Sequence, residues 1–517
     1  MFFWLVKLKW LFFLLSYFYT LVPILSATNI ILLVVDDLRP ELGTYGCKLC
    51  HTPNIDKLLH RSTQFYNVHS QFALCGPSRT SLLTSRRPNT LTTFDQHGPY
   101  WRDLPGNFTS LPQYFKESMY HTTSLGKVFH PSKLSGKLDD FPYSWSDIPY
   151  HPSTQTYKNS KVCPGKGKVL HQNIVCPVNV SLQPEGSLPD IQTASETVRR
   201  LKDLSSRQGP FFLAAGFHKP HIPLKYPEQY DDLYNLSDII PAQDGHKPTG
   251  LPNIAWNPFM DLKWREDVAA LNISFPYGAI PNHFQRRLIL SYLAAISYVD
   301  DMIGEVLAAV DALHLWNDSI IVLLSDHGWS LGEHGEWSKF SNYDVATRVP
   351  FGIYVPPFFG KTVHHVYDMA ELVDLFPTLV ELAGFQPLDR CHNRTTTTCT
   401  EGKSLVSLMY GKSMDPKVNV SFSQYPRPSM QPQVNSDQPV TSDIKYMGYA
   451  VKSTQYRYVV WVSFNSSTLT SNLTDIVAEE LYDIVVDPAE DQNIINSFPS
   501  VGKKLYNILL RADWMNY

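Results

Sequence analysis

Little about this chain is extreme, and what it lacks narrows its function. Across 517 residues, 44 lysines and arginines nearly balance 48 aspartates and glutamates, leaving a net charge of -4. Such a balance offers no general attraction to nucleic acid or to acidic polymers, so an anionic ligand would have to be held by a local basic pocket. Charged residues make up only 18% of the chain while hydrophobic residues make up 43%, a globular rather than a disordered composition. There is no internal repeat, and low complexity is confined to the short threonine run at 395–398, which sets aside the repeat architectures. Beyond residue 27 no apolar stretch is long enough to span a bilayer. Cysteine is scarce and odd in number, at seven.

The N-terminal segment reads as a secretory signal peptide over residues 1–27. Lys7 and Lys9 precede an apolar run at 11–25, and Ser26 and Ala27 supply small residues for cleavage. The mature protein is then expected to carry no stable membrane span. Nine Asn-X-Ser/Thr sequons, at Asn107, Asn179, Asn235, Asn272, Asn317, Asn393, Asn419, Asn465 and Asn472, suit a glycosylating, oxidising compartment. In that setting Cys163 with Cys176 and Cys391 with Cys399 are short-range disulfide candidates. Cys47 and Cys50 form a CxxC read as a local bridge, and Cys75 has no partner.

The length allows a large α/β domain and a smaller one, placed at 28–414 and 415–517. Residues 29–35 (NIILLVV) read as a buried central strand that delivers Asp36 and Asp37 to its C-terminal end. Thr52-Pro53 reads as the start of a helix with Ile55, Leu58 and Leu59 on its apolar stripe. Apolar residues spaced three and four apart from Ile289 to Leu313 predict a long helix. The strand-like run at 319–324 then delivers Asp326 and His327, and ligands of open α/β sheets bind at such strand ends. After a Pro-, Ser- and Gln-rich stretch at 421–440, runs at 447–451 and 457–464 and a helical pattern at 501–510 suggest a small antiparallel sheet closed by a helix.

The most specific motif is Cys75-Gly76-Pro77-Ser78-Arg79. A buried cysteine ahead of a helix would account for Cys75 and Pro77 but not for Ser78 and Arg79. The pentapeptide resembles the CxPSR sequence of type I sulfatases, in which the cysteine is oxidised to formylglycine. That resemblance implies an alkaline-phosphatase-like fold: a large, mostly parallel sheet flanked by helices, with a smaller C-terminal α+β domain. It also implies a formylglycine-generating enzyme as a maturation partner and a hydrated aldehyde at position 75 as the nucleophile. Asp36, Asp37, Cys75, Asp326 and His327 would surround the metal, and the oxygen-rich donor set favours Ca2+.

Gly126-Lys127-Val128-Phe129-His130 resembles the family segment that supplies a lysine and a histidine, Phe217 to His221 (FHKPH) the one that supplies a histidine near the leaving oxygen, and Trp337-Ser338-Lys339 the one that supplies a second lysine. On this likeness Arg79 and Lys127 stabilise the nucleophile, Lys339 binds sulfate, His218 protonates the departing oxygen and His130 acts as the late base. Lys127, His218, Trp329 and Lys339 are the expected substrate contacts. Further stretches, among them 143–153, 271–281 and 325–347, resemble a glycosaminoglycan-degrading branch of the family. They imply release of the 2-O-sulfate of terminal iduronate in heparan and dermatan sulfate, in the lysosome or after secretion. Three other readings remain open: a sulfatase for another sulfated sugar, a phosphatase or phosphodiesterase of the same fold, and a non-catalytic glycosaminoglycan binder. The second would use Ser or Thr as nucleophile, which Cys75 disfavours.

Overall fold

In the computed structural model, which describes residues 28–515 apart from 105, 166, 168 and 416–418, the apolar run after the first 27 residues forms the axis of a large sheet. The segment at 1–27, expected to be a signal peptide, lies outside the described residues. Seven strands make up this sheet: β1 (Asn29–Asp36), β2 (Thr63–His69), β3 (His121–Gly126), β4 (Phe211–Pro220), β5 (Ser319–Ser325), β6 (Arg348–Tyr354) and β7 (His365–Glu371), in the order β7-β2-β6-β5-β1-β4-β3. Every pairing is parallel except those of β6, which runs antiparallel to both β5 and β2. β1 and β5 are buried along their whole length, as strands covered on both faces must be, and this explains their unbroken Ile, Leu and Val runs.

Helices cover the two faces. α1 (Pro53–His60), α3 (Pro189–Ser205) and α4 (Asn282–Ala312) pack with one face, while α2 (Cys75–Thr84) and α5 (Leu375–Leu382) lie on the other. Thr52 sits at the N-cap of α1, as its sequence suggests, but its hydroxyl is bonded to the Asp56 carboxylate and the Gly43 N–H instead of capping the helix. α2 is buried on every side, so its polar Ser, Thr and Arg side chains are satisfied internally.

A second sheet, β8 (Ser421–Arg427), β9 (Tyr446–Lys452), β10 (Tyr456–Asn465) and β11 (Thr470–Asp483), is an antiparallel meander, and α6 (Pro499–Leu510) packs against β9 and β10. Its core is shared: Phe72, Ala73 and Leu74, just before Cys75, and Phe340, just after Lys339, are buried with Tyr425, Met447, Tyr449 and Val460. The small sheet therefore grips the two segments that flank the reaction pocket.

Disulfides join Cys47 to Cys50, Cys163 to Cys176 and Cys391 to Cys399, and Cys75 is left free and buried. Among the described residues no helix is long and apolar enough to cross a membrane.

Candidate active site

Strand register assembles the floor of the site. Val35 pairs with Ser325, so Asp36 and Asp326 leave adjacent strands together. On the other side Gly126 pairs with Gly216, which sets Lys127 beside the end of β4, and the Gly216 carbonyl accepts the Lys127 N–H at 2.8 Å. A Cβ at Gly216 would lie 1.9 Å from the Lys127 carbonyl oxygen, so this close approach requires glycine. Asp37 adopts a left-handed backbone, φ 62°. That turn is pinned on both sides: its N–H donates to Asp326 Oδ1 (3.1 Å) and its carbonyl accepts from the Tyr292 hydroxyl of α4 (2.7 Å).

Cys75, the first residue of α2, is 1% exposed, and four groups surround its sulfur. Lys339 Nζ lies at 3.2 Å, His327 Nε2 at 3.4 Å, Lys127 Nζ at 3.5 Å and Asp37 Oδ1 at 3.7 Å. Burial, with Asp36 adding to it, pushes the Cys75 thiol up to about 12 despite the two lysines. A plain thiol here stays protonated and is a weak nucleophile.

The charges are paired. Lys127 Nζ donates to Asp36 Oδ2 (2.5 Å) and Lys339 Nζ to Asp37 Oδ1 (2.6 Å). The Arg79 guanidinium bridges Asp36 Oδ1 and Asp326 Oδ2, each at 2.8 Å, and also donates to the carbonyls of Lys127 and Val128. Burial alone would raise the Asp36 carboxyl, but Lys127 and Arg79 overcome it and hold the group well below the usual carboxylate range. Arg79 is thus a brace between carboxylates, and its hydrogen bonds go to them and to backbone oxygens.

A divalent cation fits this donor set. Ligand atoms of Asp37, Cys75, Asp326 and His327 all lie within 4.8 Å of one another. Asp37 Oδ2 is buried with no hydrogen-bond partner, an orphan that a cation would satisfy. His327 Nδ1 is 2.9 Å from the Gly328 carbonyl, which places the proton there and leaves the Nε2 lone pair toward Asp37, Asp326 and Cys75. Hard oxygens plus one imidazole suit Ca2+ or Mg2+ better than zinc.

Above the floor lies a cavity of about 190 Å³, whose lining includes His130, Lys158, His221, Asp261, Arg265 and Lys339. His130 is there as its motif suggests, with Nδ1 buried and unpartnered; burial and Lys127 hold its ring neutral well below the ordinary imidazole range. His218 points elsewhere. Its backbone N–H donates to Asp190 Oδ1 at 2.6 Å, and its Nδ1 lies 3.3 Å from the same oxygen, at the start of α3. The structure instead brings His221 to the cavity, with Nε2 4.0 Å from Asp37 Oδ2. The FHKPH segment was the right signal, but two histidines three apart could not be separated until the strand end was placed. Trp329 is 2% exposed, stacks on Tyr292 and holds its ring 5.5 Å from the Lys339 ammonium, so it supports the lysine from behind. Lys158 and Arg265 belong to loops without any motif, and sequence reasoning missed them.

Comparison with known proteins agrees with this geometry. A family model described as Sulfatase matches residues 28–385. Iduronate 2-sulfatase of Mus musculus is 48% identical over 504 residues, covering 91% of each chain, and that of Homo sapiens is 47% identical over 518 residues, covering 94% of each. Among solved structures, a phosphonate monoester hydrolase from Silicibacter pomeroyi superposes with a TM-score of 0.71 at 18% identity, covering 94% of both chains. A structure described as a 2-O GAG sulfatase does so at 0.63 and 19% identity, covering 94% of this chain and 93% of its own; at these identities the likeness is one of fold.

Proposed function

The chain belongs to the sulfatase family and is a sulfuric ester hydrolase, and we propose that it removes the 2-O-sulfate from terminal iduronate residues of heparan and dermatan sulfate. The observation that carries this reading is the convergence of two lysines, a histidine and an aspartate on Cys75 Sγ, in a chain 47–48% identical to iduronate 2-sulfatases over more than nine-tenths of its length.

Asp36, Asp37, Asp326 and His327 would hold Ca2+, and Cys75 is the position of formylglycine. Together these groups supply an activated oxygen nucleophile and a Lewis acid for the sulfuryl group. The remaining steps fall to this chain's own side chains. Three carboxylates (Asp36, Asp37, Asp326) offset three cations (Arg79, Lys127, Lys339). A divalent ion would then leave the floor net positive, which suits the sulfate group. Lys127 and Lys339, both within 3.5 Å of Cys75 Sγ, draw sulfate oxygens toward position 75 and stabilise charge that moves from nucleophile to leaving group. Arg79 positions Asp36 and Asp326. His221, at the cavity wall, hands a proton to the departing sugar oxygen once the anionic substrate offsets the burial and the lysines that otherwise keep its ring neutral. His130, held neutral by its surroundings, is available as a base when sulfate is released. His218 and Asp190 anchor the turn on which His221 is carried, since the His221 N–H donates to the His218 carbonyl at 2.9 Å.

Entry into the secretory pathway through residues 1–27, modification by a formylglycine-generating enzyme, glycosylation and lysosomal residence belong to the same proposal. Eight of the nine sequon asparagines are exposed, which supports it. The test is peptide mass analysis across residue 75 of the secreted protein, paired with sulfate release from a 2-sulfated iduronide by wild type and Cys75→Ala. Formylglycine with release that depends on Cys75 is expected. An unmodified cysteine and no release, with the modifying enzyme co-expressed, would leave a glycosaminoglycan-binding protein as the better account.

A further inference from the structure

The reaction pocket contains a charge that the sulfate chemistry does not use. Lys158 follows the short helix Ser153–Tyr157 and lines the same cavity as Lys339. Among the described residues its ammonium forms no ion pair and no hydrogen bond, unlike those of Lys127 and Lys339, each of which is neutralised by an aspartate. Burial, followed by the neighbouring Lys127, pulls its pKa down to about 8, so it is charged at acid and neutral pH and is short of an anion. Arg265 faces the same cavity; its guanidinium donates to Asn159 Oδ1 at 3.1 Å, which ties the 260–269 loop to the residue next to Lys158. No carboxylate ion-pairs with Arg265 among the described residues, and burial lowers its pKa as well, ahead of the opposing pull of Asp261 and Asp267.

The cavity does not end at this pair. A second space of about 400 Å³, lined among others by Asn159, Trp264, Arg265 and Asn435, shares Asp261, Arg265 and Gln438 with the reaction pocket. Asp261 Oδ1 and Asp437 Oδ1 are buried there without partners, open to hydroxyl donors, and Trp264 exposes its ring at 70%. A floor with cations bound to aspartates, a rim with free cations and a polar, aromatic-edged space beyond it suit a substrate with two anionic groups and a sugar tail.

We infer that Lys158 and Arg265 bind the carboxylate of the sulfated terminal sugar, and that the adjoining cavity seats the next sugar of the chain. This rests on the uronate reading above and names the residues that select for it. Neither residue touches position 75, so their contribution falls on substrate selection and not on sulfate transfer itself.

The experiment compares wild type, Lys158→Met, Lys158→Arg and Arg265→Gln on three probes: a disaccharide ending in 2-sulfated iduronate, its carboxyl-reduced counterpart, and an aryl sulfate. Lys158→Met and Arg265→Gln are expected to raise KM for the first probe about 10- to 100-fold with little change in kcat. Wild type should lose a similar factor when the carboxyl is reduced, the variants should be indifferent to that reduction, and Lys158→Arg should keep the preference. Activity on the aryl sulfate should stay within about twofold throughout. Equal losses on all three probes, or variants that still discriminate the reduced sugar, would overturn the assignment. A wild type that cleaves the aryl sulfate but neither disaccharide sinks the uronate reading instead. Calorimetric binding of the unsulfated disaccharide then decides this proposal separately, since equal affinities of wild type and Lys158→Met would refute it.

Discussion

The carboxyl groups on the floor of the pocket and those in its wall sit in opposite electrostatic states. Asp36, on the floor, is ionised well below the ordinary range because Lys127 and Arg79 overcome its burial. Behind and beside the wall, burial pushes Glu336 and Asp437 up to about 8 and Asp261 up to about 6, and the opposing pull of Arg427 on the first two and of Lys339 and Arg265 on the third does not overcome it. The floor stores fixed charge for chemistry, where pairing offsets desolvation. The wall is a folded loop and sheet-edge structure, braced from beneath by Arg427, which donates to the carbonyls of Ile254, Ala255 and Phe340. Substitutions on the floor should therefore change turnover with little effect on folding, while those of the buried carboxyls Glu336 and Asp437 should do the reverse.

The largest break of that contrast is expected at Cys75. Cys75→Ala removes one buried sulfur and leaves the paired charges in place, so sulfate release should fall by about 1,000-fold or more while the unfolding midpoint stays close to wild type. A circular-dichroism melt beside a sulfate assay checks both halves; loss of the fold would make Cys75 structural. Next in size is the cation. Removal of Ca2+ by a chelator, or Asp326→Asn, should lower activity by about 100-fold or more, and readdition of Ca2+ should restore only the chelated wild type. Because Asp37 Oδ2 has no other partner, chelation should also lower the unfolding temperature, which makes calcium the point where floor chemistry and stability meet.

Two histidines three residues apart sharpen the comparison further. His221→Ala should cut kcat on an alkyl sugar sulfate by about 100-fold or more, and far less on an aryl sulfate, whose leaving group needs no proton. His218→Ala should cost stability through the lost Asp190 contact and affect both substrates alike. The opposite pattern would return the proton-donor role to His218.

How far all this could be read from the sequence follows the same division. β1 and β5 carry unbroken apolar runs that lead straight to Asp36 and Asp326, so both the strands and the convergence of the two carboxylates were legible. The CGPSR, GKVFH and WSK motifs located Cys75, Lys127, His130 and Lys339 because floor residues are tied to strand and helix ends with short-range signals. Arg79 was expected to stabilise the nucleophile; that its guanidinium turns to Asp36 and Asp326 has no local signal. Trp329 was expected at the substrate and is packed behind Lys339. The wall was illegible, since Lys158, the pair Asp261 and Arg265, and Gln438 come from three segments far apart in sequence and joined only by tertiary packing. The antiparallel sheet was seen as strands, but its grip on the residues before Cys75 and after Lys339 is a long-range contact without periodicity.

The smallest expected effect tests the wall directly, through pH. Glu336 is fully buried; its Oε1 accepts the Asn257 N–H at 2.7 Å and its Oε2 has no partner. Its folded-state pKa, about 8, lies above the ordinary value of 4.5, so the folded protein binds a proton that the unfolded chain releases. The stability it contributes is therefore fully present below about pH 4.5 and is lost as pH rises through about 8. Asp437 acts in the same sense, whereas His69, His130, His221 and His327, held neutral by burial, cost stability as pH falls below 6.5. Stability should thus pass through a maximum in mildly acid solution. Glu336→Gln keeps the shape and the Asn257 acceptor without the titration, so it should flatten the decline between about pH 4.5 and 8 and leave the limb below pH 4.5 unchanged. Denaturant midpoints at a series of pH values decide it: parallel curves for wild type and Glu336→Gln would mean that the wall carboxyls ionise without cost, and the contrast between floor and wall would fail.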